Sequence, residues 1–387
     1  MTTAARRGVR ASQPQGVTFL ELFFDLVFVF AVTQITAGTA HDLTPAGVLR
    51  SILVGWLIWW AWTQFTWTLN PADTTHDWVR VLTLAATAAA FVMAASVPRA
   101  FTDEAVWFAL PYLAVRLLGL GLQVRVEMER EGTDHAAVYR WAGASLVGLA
   151  LVLVGALVDP GLRAVVWLAA IGADFAAATV AGRAATWDLN PAHLAERHGL
   201  FVIIALGESL IVAGAAVSDA ELTPGLVVSV GASIVVACLL WWTYFGWLKD
   251  ALEHRFAAAD PRRLGPLARD AFSFAHFPLI GGIVGFAVAV EETVAHPDDP
   301  MTGPVLAALG VGVSLFVASS ALSLRILAGP VLVARLAALV VMSAALAVAG
   351  VVATPPVAPL GIVAAALLAI VIVEAARLPD RRHATDS

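Results

Sequence analysis

Six side chains capable of acid–base or ligand chemistry lie inside long apolar runs. Glu21 and Asp25 are four residues apart in L-E-L-F-F-D-L-V-F, a spacing that puts both on one face of a helix. Asp25 is the deeper of the two. Glu21 alone reads as a first-turn carboxylate favoured by the helix dipole. Glu208 stands about ten residues into its own run, near mid-membrane at about 1.5 Å per residue. Ser209 follows it, and Gly207 before it leaves the approach open. Arg116 and Asp174 lie mid-run, and His276 sits beside Pro278, Gly281, Gly282 and Gly285. A charge at mid-bilayer costs roughly 2.5–3.5 kcal/mol on insertion scales, so such groups are kept when paired, hydrated or functional. Carboxylates at that depth hold a proton or cation, or else neutralise an arginine. Arg116 is a candidate partner for Asp174 or for Glu208, and the spacing alone does not choose. An intramembrane histidine is a proton relay, a ligand or a hydrogen-bonded packing residue.

A second group precedes the seventh apolar run as H-L-A-E-R-H, holding His193, Glu196, Arg197 and His198. His193, Glu196 and Arg197 share a helix face at i, i+3 and i+4. The spacing is neither H-E-x-x-H nor H-x-x-E-H, so no metal site is expected. A charged gate or an inter-helix hydrogen-bond cluster is expected instead, on the cytoplasmic side. Tryptophans concentrate at Trp56, Trp59, Trp60, Trp62 and Trp67 and again at Trp241, Trp242 and Trp247. Membrane-interface tryptophans are the ordinary case; those at mid-span are expected to pack against the bundle, with an aromatic cavity as the alternative. Glu374, near the cytoplasmic end of the last run, is able to snorkel and is expected to be structural.

The elements that carry these residues follow from composition. Apolar types make up 60% of the 387 residues, charged types 13%, and mean hydropathy is +0.83. A soluble domain is about 45–50% apolar and about 25% charged, so a water-soluble globule and a disordered chain are both excluded. Windows of about 20 apolar residues predict twelve spans, at 17–37, 46–68, 78–97, 104–124, 138–158, 161–182, 198–217, 225–248, 267–290, 304–327, 333–353 and 357–377. The expected class is an all-α polytopic membrane protein. The first run is full length, carries two carboxylates and has no A-x-A site, so a retained span is expected rather than a signal peptide. Cys238 is the one cysteine and excludes a disulfide framework. Net charge is −6, which argues against nucleic acid as a partner. No P-loop, nucleophile elbow or dinucleotide loop is present, nor a T-V-G-Y-G filter, and no cofactor is expected.

Of the 23 basic residues, 19 fall on the side of the N-terminus, three (Arg50, Arg99 and Arg163) on the other, and Arg116 within a span. Positive residues face inward, so both termini are expected in the cytoplasm. W-T-Q-F-T-W at Trp62 returns as W-T-Y-F-G-W at Trp242, and the Arg140-led span matches the Arg335-led one. This predicts two parallel six-helix halves, 17–182 and 198–377. A tail over 1–16, a cytoplasmic linker over 183–197 and a tail over 378–387 complete the chain. L-N-P-A recurs at Leu69 and Leu189 with a competing offset, ascribed to shared capping by Asn with Pro at the first helical position.

Three long motifs carry a family resemblance: T-F-L-E-L-F-F-D-L-V-F-V-F-A-V-T-Q from Thr18, H-L-A-E-R-H-G-L-F-V-I-I-A-L-G-E-S from His193, and F-A-H-F-P-L-I-G-G-I-V from Phe274. The chain resembles the bacterial low temperature requirement A family over nearly its whole length. The resemblance implies a role tied to growth in the cold and a location in the bacterial plasma membrane, and names no reaction. Its motif residues fall here on Glu21, Asp25, His193, Glu196, Arg197, His198, Glu208 and His276. The first helix is also similar to the Phe-Ser-Asp helix of a family of six-helix-repeat potassium channels, but Phe24 stands in the serine position and the preceding arginine is missing. The expected function is transport or permeation of a small solute or ion through a midplane site built on Asp25, Glu208, Ser209 and His276, with Arg116 or Asp174 as partner. The bilayer and that solute are the expected partners. A membrane-embedded enzyme acting on a lipid or other hydrophobic substrate, a potassium-channel-like protein, and a cold or bilayer sensor are the alternatives.

Overall fold

A computed structural model describes residues 8–11, 13, 15–184, 189–219 and 222–383. Parts of the expected tails and linker (1–7, 185–188 and 384–387), with Arg6 and Arg7, lie outside the described residues, as do the side chains of Arg183, Arg377, Arg381 and Arg382. Among the described residues the chain is 83% helical and has no sheet.

The helices are α1 (Phe19–His41), α2 (Pro45–Leu69), α3 (Asp77–Ala95), α4 (Val106–Met128), α5 (His135–Leu157), α6 (Pro160–Ala184), α7 (Pro191–Asp219), α8 (Pro224–Phe245), α9 (Leu248–Ala257), α10 (Leu264–Leu267), α11 (Ala275–Ala295), α12 (Gly303–Ile326), α13 (Val333–Val352) and α14 (Val357–His383). Twelve of these segments are long and apolar enough to cross a membrane. Their outer faces carry Val340, Val341, Val351 and Ile372 in the open, a surface that only lipid covers at low cost. The protein is an all-α, multi-pass membrane protein.

Local chemistry sets the helix starts. Asp134 caps α5 by accepting from Ala137 N, and Thr223 caps α8 before Pro224. Asn190 accepts from His193 N at 3.3 Å, with Pro191 at the first helical position. This corrects the expected start of the seventh span. The 183–197 segment is not all linker, and His193 to His198 are helical.

The chain forms two compact units. The first holds residues up to Gly38, Pro45–Phe201 and Phe256–Arg269. Within it α3 lies along α4 and α5 along α6. The segment after Gly8 is strapped to the loops rather than free. Asp73 N donates to Val9 O at 2.7 Å, Ala11 N to Pro71 O at 3.0 Å, and Val9 N to Glu129 Oε2 at 2.6 Å.

The second unit holds Thr39–Thr44, Val202–Arg255 and Asp270 onward. Here α11 packs closely on α12. A Cβ at Gly282 would stand 2.5 Å from Gly312 O, so the two backbones meet where neither has a side chain, as membrane helices do through small residues. A π-helical stretch, Ala268–Phe274, leads into α11.

An internal repeat is not shown. Trp62 is buried and its counterpart Trp242 exposed; Arg335 is buried and its counterpart Arg140 exposed. The two L-N-P-A segments also differ in role. The second starts α7, whereas the first follows α2 and caps no helix start, which corrects the shared-capping expectation.

Candidate functional site

In the first unit, α1 and α7 each present an i, i+4 pair to the other. Glu21 and Asp25 face His193 and Arg197, and all four are at most 2% exposed. Arg197 lies between the carboxylates. Its Nη1 donates to Glu21 Oε1 at 3.3 Å and its Nη2 to Asp25 Oδ1. Trp62 of α2 donates its indole N–H to the same Asp25 oxygen at 2.7 Å and lies under the guanidinium. Thr18 donates its backbone N–H and its hydroxyl to Glu21 Oε2, each at 2.9 Å. Asp25 Oδ2 is buried without a hydrogen-bond partner in the protein.

Hydrogen-bond chemistry fixes the tautomer of His193. Asn70 accepts from Asn190 N through Oδ1 at 2.7 Å, so its Nδ2 is the atom facing His193 Nδ1 at 3.1 Å. An amide nitrogen only donates, which makes Nδ1 the acceptor. The ring proton is then on Nε2, 3.0 Å from Glu21 Oε1, and the imidazole is neutral. With one guanidinium between two carboxylates, the cluster carries a formal charge of −1.

The other residues of the H-L-A-E-R-H motif point elsewhere. Glu196 is exposed and its carboxylate accepts from Val17 N at 3.4 Å, so it stays outside the buried cluster formed by His193 and Arg197. His198 donates from Nδ1 to Leu194 O at 2.8 Å and packs edge-on to Trp62. His193 and Arg197 are the residues of the motif that bond across to α1.

Arg116 takes Asp174 as its partner, by two bonds of 3.2 and 3.3 Å, and also donates to Tyr112 Oη at 2.8 Å. Both members of the pair are 2% exposed. This settles a pairing that the sequence left open.

In the second unit Glu208 and Ser209 are buried. Ser209 donates to Leu206 O at 2.7 Å, and Glu208 lies within electrostatic reach of Glu291. His276 spans two partners. Its Nε2 meets Tyr244 Oη at 2.8 Å, and its Nδ1 meets Ala271 O at 3.0 Å. That carbonyl belongs to the π-helical stretch and also accepts from Ser323 at 2.6 Å. A carbonyl only accepts, so the ring proton is on Nδ1 and Tyr244 donates to Nε2.

Two further buried arginines escaped the sequence reading. Arg335, counted as a loop residue, is fully buried and donates to Glu374 at 2.8 and 2.9 Å, to Ser320 Oγ at 2.8 Å and to Thr243 O at 2.6 Å. Glu374 also accepts from Trp247 at 2.7 Å. Glu374 is therefore an ion-pair partner and does not snorkel. Opposite charges at matching depth on the two arms of the α13–α14 hairpin were the available signal. Arg163, also counted in a loop, closes over the carbonyls of Gly155, Ala100, Thr102 and Val158. Of the tryptophans, Trp56, Trp59 and Trp62 pack inside, while Trp241 and Trp242 face outward. Among the described residues no group of three or more His, Cys, Asp and Glu is placed to hold a metal ion.

Among the described residues, twelve long apolar helices with ionisable side chains buried in the structure define a polytopic membrane protein. The chain belongs to the bacterial low temperature requirement A (LtrA) family, whose model matches residues 16–373. It is also 30% identical over 288 residues to an uncharacterized protein of Rhizobium meliloti (strain 1021), covering 72% of this chain and 70% of that one. No solved structure matches it.

Proposed function

We propose that this protein moves a small ion, a proton or a monovalent cation, across the bacterial plasma membrane, with Glu21, Asp25, His193 and Arg197 as the ion site. One observation carries this reading: a fully buried cluster with two carboxylates, one guanidinium and a neutral imidazole is one positive charge short. A buried charge left unbalanced is strongly unfavourable. A proton on a carboxylate, or a cation against Asp25 Oδ2, supplies the missing charge. A site that gains and loses one positive charge is the minimum that ion translocation requires.

Placement in the membrane follows the same physics. The excess of basic residues on one side supports cytoplasmic termini. Val9, Asn70, Asn190 and Glu129 then surround the cytoplasmic end of the first unit, and the cluster lies just within it.

The test is flux into proteoliposomes that hold a dye sensitive to protons, sodium or potassium, under an imposed gradient of the same ion. Wild-type protein is expected to dissipate at least one of these gradients faster than empty vesicles. Asp25→Asn removes one negative charge, balances the cluster and is expected to abolish the flux while the protein stays folded. Wild-type rates equal to those of empty vesicles for all three ions would overturn the reading.

A further inference from the structure

The strap that precedes α1 touches the ends of the helices around the ion cluster. Residues 8–11 run antiparallel to the loop after α2, with Arg10 opposite Ala72 and backbone bonds from Asp73 N to Val9 O and from Ala11 N to Pro71 O. At the end of α4, Glu129 Oε2 accepts from Val9 N at 2.6 Å and from Arg10 N at 3.3 Å. A Cβ on Gly8 would stand 2.8 Å from that same oxygen. Residues 15–18 cross to α7 and α1. Gln15 accepts from Thr74 Oγ1 through its side chain at 3.1 Å and from Asn190 Nδ2 through its carbonyl at 3.2 Å. Val17 N donates to Glu196 at 3.4 Å, and Thr18 donates twice to Glu21.

Two asparagines join the strap to the cluster. Asn190 holds Gln15 with Nδ2 and accepts from His193 N through Oδ1. Asn70 bonds to Asn190 and to His193 Nδ1. An ion that reaches a cluster this buried needs part of its enclosure to move. The helices of that enclosure are packed through Phe24, Phe65 and Trp62, all fully buried. Among the described side chains from 8 to 18, that of Val9 alone is buried. The strap is therefore held by hydrogen bonds at the rim, each of modest net worth, and a segment with so little apolar burial opens locally at far lower cost than the fold.

We propose that residues 8–11 and 15–18 gate the ion cluster, with Glu129 as the latch. Seated, the strap closes Glu21 and His193 off from the cytoplasm; lifted from Glu129 and from the loop after α2, it opens them to water and ions on that side. This inference rests on the ion-site reading and its placement of the N-terminus.

The test locks the strap and unlatches it. Arg10 and Ala72 form a non-hydrogen-bonded antiparallel pair, whose Cα atoms are about 4.5 Å apart, within disulfide range. Arg10→Cys with Ala72→Cys, in a Cys238→Ser background, ties the strap down when oxidised and releases it on reduction. Full-length protein in proteoliposomes is read in two ways. One is ion flux. The other is carbethoxylation of His193 by diethyl pyrocarbonate, located by peptide mass spectrometry, which attacks an unprotonated ring nitrogen and needs no flux. Oxidation is expected to abolish flux and to slow the His193 reaction at least tenfold, both reversed by reduction. Glu129→Ala removes the latch and is expected to speed the His193 reaction about tenfold, the scale of hydrogen bonds to a charged acceptor, and to raise flux. It stands as the second measurement where the cysteine pair does not fold. A His193 rate that is the same oxidised and reduced, or the same with and without Glu129, would overturn the gate, as would wild-type flux that persists in the oxidised protein. Absence of flux in the wild type overturns the transport reading instead, and the His193 rates still decide on the gate.

Discussion

Asn70 grips the backbone of Asn190 with both ends of its amide, accepting from the N–H at 2.7 Å and donating to the carbonyl at 3.0 Å. The same Nδ2 meets His193 Nδ1. One side chain thus anchors the start of α7 and sets the proton of the histidine that faces Glu21. Asn70→Asp exchanges the donor for an acceptor and sets two acceptors, Oδ2 and His193 Nδ1, against each other. The expected loss is about 1–3 kcal/mol, the range for an unsatisfied buried group, or a proton taken up by His193. Thermal melting in detergent checks the first outcome, and histidine nitrogen-15 shifts check the second.

Arg197 bonds to both carboxylates of α1, so its removal leaves two negative groups facing each other in an apolar interior. Arg197→Gln is expected to cost about 3–5 kcal/mol, as for other buried pairs broken from one side. Adding Glu21→Gln and Asp25→Asn to that variant removes both stranded charges and is expected to restore most of the stability. Melting curves of the single and triple variants decide the matter; a triple variant no more stable than the single one would refute the charge account.

The twelve spans were legible because length and apolarity are local properties of the chain. Asp25, Arg116, Asp174 and Glu208, which lie deep within apolar runs, were legible for the same reason, whereas the buried Arg163, Arg197 and Arg335 near the ends of their runs were not. Their pairing was not, because Glu21 and Arg197, or Arg116 and Asp174, meet only through the fold. Arg197 was assigned to a loop because the seventh span was begun at the edge of its apolar run. The Asn190-Pro191 start signal lay seven residues earlier, and polar residues buried against Glu21 and Asn70 extend the helix beyond what hydropathy reveals.

Asp73 offers a pH test outside the membrane spans. Burial pushes its carboxyl up, but bonds from the Thr75 hydroxyl at 2.7 Å and the Thr75 N–H at 2.9 Å outweigh that and hold it below the usual carboxylate range. A folded pKa below the unfolded one gives stability that is present above the unfolded value, 3.8, and lost as pH falls through the folded one. The strap formed by Val9 and Ala11 on this loop is therefore expected to loosen in acid. Hydrogen exchange at Asp73 N, which donates to Val9 O, is expected to show less added protection at low pH than at neutral pH, and Asp73→Asn to remove that pH dependence.

Arg116 and Asp174 provide a coupling test that separates structure from transport. Arg116→Met strands Asp174, and Asp174→Leu strands Arg116, each at an expected cost of about 3–5 kcal/mol. The double variant puts apolar groups in both places and is expected to return close to wild-type stability, because replacing a buried pair whole is often neutral or better. Ion flux through the cluster of Asp25 and Arg197 is expected to survive in the double variant, since no bond joins the two groups of residues. Loss of flux in a stable double variant would place Arg116 and Asp174 on the ion path and enlarge the site proposed here.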